Sequence, residues 1–121
     1  MATVMGWLPL VGAAIIMLIG VICFFRPQML MDACGIKMTS SMAISEVRGV
    51  FGGMNIGGAL AAFLFGSPEV YLVLAMAWTG VAAARFYSMA VDGSTLKESI
   101  PPIVLDGAVA LMFFAGTSAA L

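Results

Sequence analysis

Six charged residues, Arg26, Glu46, Arg48, Arg85, Asp92 and Asp106, come from four different hydrophobic stretches, yet their positions along those stretches place them all toward one end of a helical bundle. Acids and arginines at a common depth in apolar surroundings could neutralise one another, hold a proton, or hold an anionic ligand. A charge near the middle of a membrane helix costs about 2.5–3.5 kcal/mol, and less near the ends, where long side chains reach water. Arg26 and Asp92 lie close enough to the ends to escape in this way. Arg85 and Asp106 lie deeper, and short Asp hardly reaches out at all, so an Arg85–Asp106 or Arg85–Glu46 pair is expected. Two readings stand side by side: the pairs only fix helix register, or the same residues with Asn55 form a ligand or proton site. No reaction is legible in either, and the chain is not read as an enzyme.

The composition specifies the solvent around these charges. With 63% hydrophobic and 9% charged residues in 121 and a mean hydropathy of +1.14, the chain has more apolar surface than a globular core of its size could bury. A spanning helix needs about 20 mostly apolar residues, because hydrocarbon is roughly 30 Å thick and each residue rises about 1.5 Å. Four such stretches fit, at about 4–25, 43–65, 69–91 and 101–120. They are continuous and rich in Ala, Leu and Met, without the alternation of strands. The expected architecture is an all-α integral membrane protein: one domain, residues 1–121, built as a four-helix transmembrane bundle. The first stretch has no basic start and no small-residue cleavage pattern after Phe25, so it is read as retained.

Punctuation between the stretches supports these bounds. Pro27 suits the first turn of a short helix and Gly35 its stop, with Met29, Leu30, Ala33 and Cys34 on one side, which predicts an interfacial helix between helices one and two. Ser67, Pro68 and Glu69 carry the N-cap, first helical proline and first-turn acid of helix three. Pro101 and Pro102 can open helix four after Asp92-Gly93. Arg26, Lys37 and Lys97 lie in the first and third connections, so both termini are expected outside the cytoplasm.

Helix two carries the plainest packing pattern. Gly49, Gly53, Gly57 and Ala61 recur every four residues, a stripe that lets another helix approach closely in lipid. At about 100° per residue, Glu46 falls on that stripe and points into the bundle, while Arg48, Gly52, Asn55 and Ala59 form a second face. Helix three presents Tyr71, Trp78, Arg85 and Asp92 at heptad spacing. Trp7, Trp78, Tyr71 and Tyr87 read as core or belt aromatics, with Trp7 and Tyr71 near the outer interface.

Several chemistries are disfavoured. The chain has no His, which removes most haem, zinc and nucleophile schemes, and no metal site is predicted. Met29, Met31, Cys34 and Met38 could offer soft ligands to Cu(I), but Met more often fills gaps in cores. Cys23 and Cys34 match neither a redox pair nor a zinc site, so no disulfide is expected. Five basic residues scattered over apolar stretches, at a net charge of −1, make no stripe for nucleic acid.

The run Ser45 to Gly53, with its Glu-x-Arg-x-x-x-Gly-Gly pattern at Glu46, Arg48, Gly52 and Gly53, resembles the signature of a small bacterial four-helix family of unknown function placed with the DoxD-like (DoxX-like) membrane proteins. Arg85, Asp92-Gly93 and an acid at Asp106 also look like that family's pattern, although the fourth-helix acid there is often Glu. The resemblance implies a bacterial inner-membrane bundle with a polar cluster on the cytoplasmic side. It also implies a helper role, as an accessory or assembly subunit packed laterally against a larger membrane complex or as a homo-oligomer. The alternative is an inner-leaflet binding protein in which Arg48 and Arg85 hold an anionic lipid, a quinone or a small carboxylate. No cofactor is predicted, and a bound lipid or quinone is the one small molecule the alternative allows.

Overall fold

Long apolar runs with few strand-forming alternations fold as helices because, without water to satisfy it, the backbone must bond to itself. The computed structural model describes residues 2–93 and 95–117, and among them every regular element is helical. In chain order these are α1 (Ala2–Phe25), α2 (Pro27–Ala33), α3 (Ser41–Glu46), a π-helical segment (Val47–Gly53), α4 (Met54–Phe65), α5 (Pro68–Val91) and α6 (Leu96–Thr117). Four helical stretches, Gly6–Phe25, Ser41–Phe65, Pro68–Val91 and Ser99–Thr117, are long and apolar enough to cross a membrane. This is the pattern of a multi-pass membrane protein.

The chain divides into two compact units, one holding Met1–Gly12 with Phe65–Leu121 and the other Ala13–Leu64. In the first unit, α5 and α6 pack against each other. Their inner lines follow alternating steps of three and four: Tyr71, Ala75, Trp78, Ala82, Arg85 and Met89 on α5 are buried or half-buried, as are Ser99, Pro102, Asp106, Val109, Phe113 and Gly116 on α6. That spacing keeps one seam facing a neighbouring helix. Tyr71 stacks on Phe113 with ring centroids 6.4 Å apart. Of the aromatics read as core or belt residues, Tyr71 is a buried core residue at 8% exposure, whereas Trp7 is 65% exposed. The start of α1 joins this unit, with Gly12 against Met112 and Phe113, and Pro9 against Gly116.

The second unit is built on the rest of α1. Cys23, Met31 and Val47 form a buried cluster flanked by Ile19, Leu30 and Met38, and this ties α2 to its neighbours. Helix α2 ends as its sequence requires. Gly35 takes φ +76, its N–H donates to the Asp32 carbonyl at 3.1 Å, and the Ile36 N–H donates to the Met31 carbonyl at 2.8 Å. This is the paired closure that a left-handed glycine permits. The side of α2 that turns inward carries Pro27 and Met31, while Met29, Ala33 and Cys34 are exposed.

Two helix starts and one turn type differ from expectation. Helix two opens at Ser41, because Ser40 accepts the Ala43 N–H on its hydroxyl at 3.1 Å. Helix four opens at Leu96, leaving Pro101 and Pro102 inside it, and the Ser99 N–H to Thr95 carbonyl bond at 3.1 Å forms that earlier turn. Residues 118–120 of the expected fourth helix lie outside the described residues. The third departure is the π segment, whose wider i→i+5 turns change which residues share a face.

Candidate functional site

The deepest charge in the first unit is a carboxylate. Asp106 sits on the inner line of α6 with 1% of its surface exposed, where an unpaired charge would not survive. Its partner comes from the inner line of α5: Arg85 Nε donates to Asp106 Oδ2 at 2.5 Å. The side chains are 37% and 2% exposed respectively. The two helices therefore close their seam over one ion pair, with the arginine at its edge and the acid enclosed.

The second unit uses its arginine differently. Helix α1 ends where Arg26 leaves helical geometry, with φ −135 and ψ 63, and Pro27 has no N–H to donate. The last carbonyls of α1 are thus short of helical donors. Arg48 supplies one, its Nη1 donating to the Phe24 carbonyl at 2.5 Å. A cation at a helix C-terminus also meets the negative end of the helix dipole. Arg48 is a side-chain cap on α1.

The other candidate residues have simpler surroundings. Asn55 Nδ2 donates to the Phe51 carbonyl at 2.7 Å, a local bond within its own helix. Glu46, expected to point inward, is exposed, as are Arg26 and Asp92. Asp92 caps α5, its N–H donating to the Ser88 carbonyl. Of the six charges, then, the ion pair takes Arg85 and Asp106, and the cap takes Arg48.

Helix two also reverses its predicted faces. Gly49 and Gly57 have no atom within 4 Å of an added β-carbon, and Gly53 meets only the Arg48 carbonyl at 3.8 Å. The packed side carries Val47, Gly52, Ala59 and Ala62. Val47 and Gly52 are five apart, a spacing that a π turn brings onto one side and an α-helix would place well apart. The Met54 N–H to Gly49 carbonyl bond marks that wider turn. A β-carbon on Gly20 would lie 2.9 Å from the Gly52 carbonyl oxygen, so the intimate helix contact is made by Gly20 and Gly52. The sequence signal for it was Gly20 alone in an otherwise bulky run.

The sulfur side chains named from the sequence divide between the interior and the surface. Met31 lies in the apolar cluster with Cys23, and Met38 packs against it, while Met29 is 53% exposed. Cys34 is exposed, and both cysteines are free thiols. Among the described residues no three of the Cys, Asp and Glu side chains gather as a metal site would need.

No curated protein and no solved structure matches this chain. The sequence does match one family profile across nearly its full length, residues 4–115, and the segment so covered includes the Arg85–Asp106 pair, the Arg48 cap and the π segment. The chain belongs to the family defined by the domain of unknown function DUF4345.

Proposed function

We propose that this protein is an accessory or assembly subunit that packs laterally, within the bilayer, against a spanning helix of a larger membrane complex. The observation that carries this reading is the unused stripe on helix two: open space lies beside Gly49 and Gly57, while Gly20 and Gly52 make the close contact inside the unit. In lipid, where apolar tails give no driving force between apolar helices, small-residue stripes are the surfaces on which backbones meet. The charges agree with a structural part for the polar groups, since Asp106 is matched by Arg85 and Arg48 caps a helix.

Helix α2 lies along the inner leaflet, and both termini face outward because Arg26, Lys37 and Lys97 lie in the connections on the opposite side. A bacterial inner membrane and a kinship with DoxX-like proteins rest on the Glu46-x-Arg48-x-x-x-Gly52-Gly53 signature. A mild-detergent purification from native membranes tests the reading. The wild-type protein should retain a membrane-protein partner, and Gly49→Ile with Gly57→Ile should lose it while melting at the wild-type temperature. Retention by that variant, or a partner-free wild-type monomer, overturns it.

A further inference from the structure

Asp106 engages Arg85 through Nε alone, although a guanidinium carries five N–H donors in a rigid fork. Among the described residues, the two Nη groups have no hydrogen-bond partner, and the exposure of the pair lies on the arginine, at 37% against 2%. Arg85 is six residues from the end of α5 at Val91, about 9 Å along the helix axis at 1.5 Å per residue. Its Cα–Cβ bond tilts toward the helix N-terminus, away from that nearer end, and the bond to Asp106 restrains the head group. Donors at that depth need an acceptor, since hydrocarbon offers none.

The charge balance chooses the acceptor. The ion pair of Arg85 and Asp106 is already neutral. An anion there would add negative charge beside the Asp106 carboxylate in a low dielectric. A carbonyl oxygen accepts the same N–H groups without that repulsion. At Gly107, the residue that follows the acid in α6, an added β-carbon meets nothing within 4 Å, so the helix surface there is open.

We infer that the Nη edge of Arg85 hydrogen-bonds the carbonyl oxygen of an uncharged or zwitterionic apolar bilayer molecule, a glycerolipid ester or a quinone, with Asp106 as the positioning residue. The carbonyl is the recognised group; the acyl or isoprenoid tail lies along the apolar helix surface.

The test uses delipidated full-length protein in detergent and follows thermal unfolding with four probes: diester phosphatidylcholine, its diether analogue, diether phosphatidylglycerol and a short-chain benzoquinone. Stabilisation of about 4 °C or more is expected from the diester, from the quinone, or from both, with none from either diether lipid. A response to the diester alone assigns the ester, and a response to the quinone alone assigns the quinone. Arg85→Lys keeps a cation for Asp106 but lacks the fork, so it should lose the response. Should Arg85→Lys not fold, Gly107→Leu leaves the pair intact, puts bulk on the open α6 surface that follows Asp106 in the chain, and should lose it equally. Equal stabilisation by diester and diether, stabilisation by the anionic diether, no response to any probe, or an unchanged response in the folded variants overturns the inference.

Discussion

Gly20 and Gly52 approach so closely that a β-carbon on the first would lie 2.9 Å from the carbonyl oxygen of the second, and one on Gly52 would lie 2.9 Å from the Phe24 nitrogen. Backbone, not a flexible side-chain end, occupies that space, so a methyl group can be accommodated only by moving helices apart. Gly20→Ala and Gly52→Ala should each destabilise the protein by about 1–3 kcal/mol. Gly49→Ala and Gly57→Ala, in open helical positions, should be neutral or stabilising by up to about 1 kcal/mol. Denaturant unfolding in detergent separates the pairs, and an equal loss at all four positions would contradict the face assignment.

The cap on α1 makes a different prediction. Arg48→Leu removes both a charged donor from the Phe24 carbonyl and a cation from the helix terminus, at a cost of about 1–2 kcal/mol. Amide hydrogen exchange should quicken around the break between α1 and α2, with α5 unaffected. Uniform exchange with no change near Arg26 would show that the guanidinium does not hold this end.

Thiol chemistry checks the placement of α2. Cys34 is exposed and Cys23 buried, so a maleimide should modify one thiol rapidly in the folded protein and the second only after denaturation. In sealed vesicles of known orientation, an impermeant maleimide should reach Cys34 from the cytoplasmic side alone. Labelling from the opposite side would reverse the proposed topology.

The span pattern was legible because burial in lipid demands long apolar runs, and capping residues such as Pro27, Gly35, Ser67 and Pro68 act locally. That Arg85 needs an acid was legible for an energetic reason, that it lies too deep to be left alone; the choice between Asp106 and Glu46 was not, and the pair that forms is with Asp106. What could not be read was the face of helix two. A fixed 100° step assigned Gly49, Gly53 and Gly57 to packing, but the π segment at Val47–Gly53 breaks that step, and no residue type in Val47 to Gly53 announces an i→i+5 turn. Glu46 was placed inward by the same extrapolation and is exposed. Arg48 was grouped with the charges, while its acceptor is a backbone carbonyl, which residue identities alone do not reveal.

A double-mutant cycle on Arg85 and Asp106 tests the central claim most directly. Arg85→Leu and Asp106→Leu each leave one charge unmatched, and Arg85→Leu is the more costly because it strands the enclosed carboxylate; losses of about 2–4 kcal/mol are expected for the single changes and less for the double. Unfolding free energies in detergent should thus show the double variant more stable than Arg85→Leu. Additive losses, with the double variant the least stable of the three, would contradict direct neutralisation of Asp106 by Arg85.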